Sequence, residues 1–322
     1  MMTSLIYQPL STEQLSQIVT RHLGDHGTYQ SRMATGGLFN TTYRLTFADQ
    51  RQFMLRVGPV RRHLLLPFEH HLMTGEAVAD AHLRTVGIPC PQITVCDLSR
   101  TVIDRDYMLW PALPGKMLST MSLNAQQKHQ LFCQLGSDLS KMHAITMPYF
   151  GRVGSIACDG PRFASWGAFL ISEFDITVEL LRAHDLFTVP EANQLKQLFD
   201  QARPLFDEIR RPALIHADLW DANILVASDG SQITGIIDAD RAMYGDPEFD
   251  FSGGWTLDPS FFKGYGKPLT DTLAAKRRRL FYQLFYRTLD AYVWQVEYNE
   301  PTRYEATKQV VLRLAQQLAN PQ

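Results

Sequence analysis

Cysteine is scarce in this 322-residue chain: only Cys90, Cys96, Cys133 and Cys158 occur, and no two are spaced as Cys-x-x-Cys. That spacing excludes a zinc knuckle and a dithiol redox motif, and so few thiols exclude a disulfide-dense scaffold. The four are expected to be reduced and structural. No apolar run approaches the ~18 residues of a membrane helix, and Met1 to Leu10 lacks a basic segment followed by an apolar one. Neither a membrane span nor a secretory leader is expected, and the expected compartment is the cytoplasm. No sign of charge dominates either. With 31 Lys and Arg against 33 Asp and Glu, the net charge is −2. No global field therefore points to nucleic acid or an anionic membrane as partner. Internal repeats and low-complexity segments are also missing. What is present is ordinary globular material, 45% hydrophobic and 20% charged, enough for one large core or two lobes.

The order of patterns along the chain suggests two regions. Residues 11–23 open with a capping signal and then place Leu15, Ile18, Val19 and Leu23 at helical spacing. Two strand-like runs, 42–47 and 53–57, flank the polar turn 48–51 and predict a hairpin. A helix is expected over about 70–86, ended by Gly87-Ile88-Pro89, with strands near 92–97 and 101–110. Pro111 to Gly115 then breaks regular structure. Beyond it, helical periodicity recurs over 124–145, 163–184, 190–209, 272–298 and 301–319. The exception is 213–240, with short apolar runs at 213–216, 223–226 and 233–238. The expected organisation is α+β: a small β-rich lobe over 1–111, a hinge, and a larger, mainly helical lobe over 112–322 carrying a small β insert.

The densest chemistry lies in residues 216–250. His216, Asp218 and Asn223 form His-x-Asp-x-x-x-x-Asn; a hairpin follows, then Ile237-Asp238, then Gly245-Asp246-Pro247 and Asp250. In this combination and order the stretch resembles the phosphotransferase family that includes aminoglycoside and choline kinases, relatives of the protein kinases. The resemblance extends more weakly over most of the chain. It implies a bilobal protein-kinase-like fold and a small-molecule kinase using Mg²⁺ and ATP (or GTP). The acceptor would be a small molecule bearing a hydroxyl, with no nucleic acid or membrane partner. Phosphoryl transfer needs an aligned nucleophile and cations to neutralise phosphate charge. Asp218 would accept or orient the proton of the attacking hydroxyl. Asn223 and Asp238 would be oxygen ligands of Mg²⁺, which favours hard donors. Taken singly, a loop carboxylate usually caps a helix or closes a turn. Asp246 and Asp250 are expected to stay in that bracing role, and His216 to orient the catalytic loop.

The N-terminal half carries a second set. Thr35-Gly36-Gly37-Leu38-Phe39-Asn40 precedes a strand, and the family has a similar Gly-Gly-x-x-Asn-x-x-Tyr-Arg pattern there. Thr35, Gly36, Gly37 and Asn40 are therefore candidate nucleotide contacts, the glycines allowing close approach to phosphate; a plain hairpin turn is the alternative. Arg56 stands where protein kinases place a phosphate-pairing Lys. Its expected partner is Glu76, because either charge buried alone would be costly. Met108 to Gly115 resembles the family's hinge, which makes Trp110 and Ala112 candidate adenine contacts.

Between Pro212 and Asp258 there are nine acidic residues and one basic residue, Arg241. This imbalance could attract a cationic acceptor, or it could be spent on capping. Trp220 and Asp221 flank Asp218, and Trp166, Trp255, Tyr265 and Trp294 could line an acceptor pocket. The helix at 278–296 reads as packing, and Arg277-Arg278-Arg279 as its solvated start. Two rivals remain. One is a ketosamine (fructosamine-like) kinase, which Asp218-Leu219-Trp220 with Asn223 and Tyr244-Gly245-Asp246 resemble. The other is a nucleotide-binding pseudokinase acting through a partner. A protein kinase is disfavoured, because neither Asp-Phe-Gly nor Ala-Pro-Glu occurs.

Overall fold

The computed structural model describes residues 4–24, 28–34, 37–253 and 258–320. Thr35, Gly36 and Trp255 lie outside them. The first lobe is a five-stranded antiparallel sheet with one helix on each face. Helix α1 (Thr12–Leu23) begins on a reciprocal cap between Ser11 and Gln14. Strands β1 (Tyr29–Met33), β2 (Thr41–Phe47) and β3 (Gln52–Val57) come next, then α2 (Leu72–Thr85), β4 (Val95–Asp97) and β5 (Tyr107–Pro111). The spatial order is β1-β2-β3-β5-β4.

The period of two in these strands sets what each face holds. Tyr43, Leu45, Leu55, Val57 and Leu109 turn toward Leu15, Ile18 and Val19 of α1 and form one core. Because Leu55 and Val57 point that way, Arg56 must point to the other face. There Met54 and Arg56 stand opposite Trp110 and Met108, and the two latter side chains pack on Met73 of α2. The register that buries the core thus also delivers a cation to the inner face.

The strand expected over 101–110 is shorter, because residues 98–106 form a polar turn. Asp97 accepts from the Ser99 amide at 2.8 Å, and Arg100 is left-handed at φ 55°. Arg100 and Arg62 both bind Asp106. These side-chain bonds compete with the strand ladder and win.

The second lobe contains β6 (Lys116–Met117), α3 (Ala125–Met142), β7 (Gly151–Arg152), α4 (Val153–Ala157), α5 (Trp166–Ala183) and α6 (Val189–Phe206). It continues with β8 (Ala213–Ile215), β9 (Ile224–Val226), β10 (Ile233–Ile236), β11 (Met243–Gly245), α7 (Pro259–Tyr265), α8 (Leu273–Tyr292) and α9 (Pro301–Ala319). Helix α8 runs on into a π-helical turn, Val293–Glu297. The apolar runs of 213–240 divide between two small sheets, β10-β9-β6 and β7-β11-β8.

Three expectations need correction here. Arg278 and Arg279 are not a solvated helix start. Arg278 is 7% exposed and pairs with Glu208 at 2.5 Å and Asp246 at 3.5 Å, while Arg279 pairs with Glu248. Asp246 and Glu248 are buried, and the two guanidinium groups neutralise them. Trp166 and Tyr265 are core residues rather than pocket lining. Trp166 packs against Phe169, Phe249 and Tyr282, and the Tyr265 hydroxyl lies 2.7 Å from His143. The thiols are free, but only Cys90 is buried; Cys96 and Cys158 are exposed.

Candidate active site

The loop after β8 is built around one buried carboxylate. Asp250 accepts from the His216 amide at 3.0 Å and from the Ala217 amide at 2.7 Å. These bonds hold Ala217 at φ 66°, a left-handed conformation that a non-glycine residue adopts only when its surroundings enforce it. His143, on the helix α3 side, approaches the same carboxylate at 3.0 Å. Asp250 stays below the ordinary carboxylate range: burial opposes this, but bonds from His143 and the loop amides outweigh it.

His216 laces this loop to the next. Its Nε2 donates to the Ile237 carbonyl at 3.0 Å, which leaves Nδ1 to accept from the Asp218 amide at 3.3 Å. Burial lowers its pKa, and that neutral tautomer fits both bonds. Asn223 Nδ2 donates to the Asp218 carbonyl at 2.8 Å, and the Ile237 amide donates to the Asn223 carbonyl at 2.9 Å. The loops of Asp218, Asn223 and Asp238 are thus tied together by hydrogen bonds. The side-chain oxygens of Asp218 and Asn223 take no part in these bonds.

From the first lobe, Arg56 binds Glu76, which is fully buried, and also Asp238 at 2.8 Å. Asp238 is left-handed at φ 67°, and its side chain is 33% exposed. Burial opposes its ionisation, but Arg56 and His216 hold the carboxyl below its usual range. Burial pushes Glu76 and Asp80 upward, against Arg56. Glu76 Oε1 and both carboxyl oxygens of Asp80 lack a hydrogen-bond partner among the described residues. Asp240 also feels Asp238 and Arg56. Burial favours the neutral form of Glu76, Asp80 and Asp240, while Asp238 is held ionised beside Arg56, and the donor set is hard oxygen. An ionised Asp238 among oxygen donors fits a Mg²⁺-phosphate ligand. Among the described residues, no three His, Cys, Asp or Glu side chains form a metal cage.

Helix α2 reaches this place through glycines. A Cβ on Gly154 would lie 2.2 Å from the His71 carbonyl, and one on Gly75 would lie 3.0 Å from the Asp240 carbonyl. Backbone therefore meets backbone where α2 docks on α4 and the Asp238 turn.

The hinge differs from the simplest expectation. Trp110 is 5% exposed, and its ring lies 5.6 Å from the Arg56 guanidinium, so it packs on the ion pair. The Ala112 amide donates to the Gln52 carbonyl at 2.9 Å and is committed to the sheet. By the alternation of the β3–β5 ladder, the Pro111 carbonyl and the Leu113 amide face away from β3. Gly37 and Asn40 lie in the loop between β1 and β2; among the described residues, a Cβ on Gly37 would meet only the Asn40 carbonyl, at 3.4 Å.

Burial pushes Asp218 up to about 7. Arg241 opposes the rise, while Asp238, Asp290 and Asp250 add to it. Arg241 and Asp290 were not among the residues singled out by motif. Arg241 also lies 3.8 Å from Glu69. Much of the local acidity is spent on structure. Asp229 caps Ser231, Asp258 caps Ser260, and Asp246, Glu248 and Asp250 are paired internally. Trp220, two residues after Asp218, stands 51% exposed, whereas Trp294 stacks under Arg303 at 4.5 Å.

Comparison with known proteins gives this geometry a family. A protein of Lactiplantibacillus plantarum named "Probable ketoamine kinase" is 25% identical over 267 residues, covering 80% of this chain and 86% of its own. One of Synechocystis with the same description is 22% identical over 300 residues, covering 87% and 90%. Among solved structures, aminoglycoside phosphotransferase APH(4)-Ia in complex with AMP-PNP and hygromycin B superposes with a TM-score of 0.66. It is 14% identical, with 97% of this chain and 100% of that one covered. The streptomycin–ATP–APH(2″)-IIa complex gives 0.66 at 12% identity, covering 97% and 99%. At such identities the likeness is one of fold, the two-lobed protein-kinase-like fold. The profile of the phosphotransferase enzyme family (APH) matches residues 32–282, and the chain belongs to that family.

Proposed function

We propose that this protein is a Mg²⁺-dependent kinase that transfers the γ-phosphoryl group of ATP to a hydroxyl of a small sugar-derived metabolite, a ketoamine. One observation supports the kinase reading: the loops of Asp218, Asn223 and Asp238 are tied together by hydrogen bonds, and Arg56 bridges Asp238 and Glu76. Residues 1–111 would serve the nucleotide, and 112–322 the acceptor and the chemistry. Asp218 takes the proton of the attacking hydroxyl. Asn223, whose Nδ2 is engaged, offers Oδ1, and Asp238 offers its carboxylate; these two would hold Mg²⁺. Such an ion, when bound, neutralises phosphate charge that would otherwise repel the nucleophile. Arg56, steadied by Glu76, pairs with phosphate oxygens as a planar two-pronged donor. Thr35, Gly36, Gly37 and Asn40 cover the phosphates. The Pro111 carbonyl and the Leu113 amide, either side of Ala112, meet the base edge, with Trp110 behind them. Positioning and electrostatics supply the rate, and no covalent enzyme intermediate is needed.

The acceptor class rests on the names of the curated relatives and on Asp218-Leu219-Trp220 with Asn223, where an exposed indole two residues after the base offers a face for a sugar ring. The test is ADP release with Mg-ATP across a panel of ketoamines, aminoglycosides, macrolides, choline-like alcohols and free sugars. Ketoamine-dependent release supports the reading. Release with aminoglycosides alone moves the acceptor assignment to that class. No acceptor-dependent release across the panel contradicts a small-molecule kinase and favours the pseudokinase.

A further inference from the structure

Helix α8 passes beside the catalytic loop with Tyr282, Tyr286 and Asp290 at four-residue spacing, so the three share one face. The first tyrosine is satisfied. Its hydroxyl accepts from Trp166 Nε1 at 2.9 Å and donates to Asp246 at 2.7 Å. The second is not: Tyr286 Oη is buried and has no hydrogen-bond partner among the described residues. Its ring packs on Phe249 at a centroid distance of 4.9 Å. Phe249 immediately precedes Asp250, which holds the amides of His216 and Ala217 just before Asp218. Burial raises the Tyr286 phenol well above its ordinary value. Asp218 is the charge that adds most to the rise, and Arg152, Asp250 and Arg241 also act on it. Asp290, one turn further along α8, acts on Asp218 in turn. The tyrosine face of α8 therefore packs on Phe249, next to the carboxylate that holds the loop of Asp218.

A buried donor left without a partner keeps its desolvation cost uncompensated. A second donor in the same surroundings, Arg152 Nη2, is also without one among the described residues. An ionised Asp218 can only accept hydrogen bonds. It can take the proton of an alcohol, but it cannot fix the direction of the lone pairs on that alcohol's oxygen. A donor on the other side of the oxygen is needed for that.

We infer that the Tyr286 hydroxyl is this donor: it hydrogen-bonds the acceptor oxygen, whether of a substrate alcohol or of a water in its place, and sets the line of attack. The inference rests on the kinase reading above. In the step, the alcohol proton passes to Asp218, the new oxygen–phosphorus bond forms, and the bond from phosphorus to the ADP oxygen breaks. Tyr286 keeps its own proton throughout.

Tyr286→Phe and Tyr282→Phe in the full chain test it. Removing the Tyr286 hydroxyl deletes an unmade bond, so Tm should hold or rise while acceptor kcat/KM falls about tenfold. Calorimetric affinity for the Mg complex of a non-hydrolysable ATP analogue should stay within about twofold, and ATP hydrolysis by water should fall with the acceptor rate. Tyr282→Phe, which breaks a satisfied network, should instead lower Tm. The inference is overturned if Tyr286→Phe keeps acceptor kcat/KM within about twofold of wild type. It is also overturned if Tm and nucleotide affinity fall together, the mark of a structural hydroxyl. A wild-type protein that hydrolyses ATP in a Tyr286-dependent way, yet phosphorylates no alcohol, overturns the kinase reading and leaves this one standing. A wild-type protein inert toward ATP overturns both.

Discussion

Asp218 is placed so that its two duties conflict. Burial lifts its pKa to about 7, and an ionised carboxylate is what the reaction needs. Activity limited by this base should therefore rise as pH increases through about 7 and fall below it. Bound Mg²⁺ would shift that midpoint downward, because a nearby cation favours the ionised form. Stability should move the other way. A carboxyl whose folded pKa is raised favours folding while protonated, and that advantage is lost as pH rises through the folded pKa. Asp218→Asn removes the cost of burying the charge and leaves the backbone bonds of Asp218 intact. It should raise Tm at pH 8, change it little at pH 5, and reduce turnover by roughly two to four orders of magnitude. Near-normal turnover, or a lower Tm at pH 8, would remove Asp218 from the role of buried base. Arg56 and Glu76 form the other charged pair. Arg56→Met should raise nucleotide KM and lower kcat, Glu76→Gln should do so more mildly, and the double mutant should be non-additive. Fully additive losses in kcat/KM would mean that another cation holds the phosphates.

At the scale of elements, α2 decides whether that pair can form. It carries Glu76 and docks through Gly75 against the Asp240 carbonyl, with Gly154 of α4 under His71. Gly154→Ala puts a methyl 2.2 Å from a carbonyl oxygen, so α2 must shift. Overpacking of this kind costs about 1–3 kcal/mol. Both Tm and Mg-nucleotide affinity should drop, and a loss of Tm with unchanged affinity would show that the α2 position is irrelevant to the nucleotide. Elements of this length were legible in the sequence, because amphipathic helices repeat their apolar positions over several turns. Strands β6, β7 and β11 were not. Each has two or three residues, and their partners lie far away in the chain, as when Met243 pairs with both Arg152 and Ile215. No local pattern encodes such a meeting. The same reason hid His143, which meets Asp250 beneath the Asp218 loop only through tertiary packing. Tyr282 and Tyr286 were visible at four-residue spacing, yet spacing cannot tell a satisfied hydroxyl from an orphaned one. The arginines at the start of α8 misled because charge suggests solvent, while the buried acids of Gly245-Asp246-Pro247-Glu248 needed counterions.

For the whole molecule, a sheet lobe delivers Arg56 and Glu76, and a helical lobe delivers Asp218, Asn223 and Asp238. The contact of Arg56 with Asp238 joins the two. The most direct test of the account incubates the full chain with Mg²⁺, γ-labelled ATP and a ketoamine, and identifies the product by mass spectrometry. The account predicts a ketoamine carrying one labelled phosphoryl group on a hydroxyl, formed by the wild type and lost in Asp218→Asn that still binds Mg-nucleotide. Label appearing only in inorganic phosphate, or equal transfer by the Asp218→Asn protein, would contradict it.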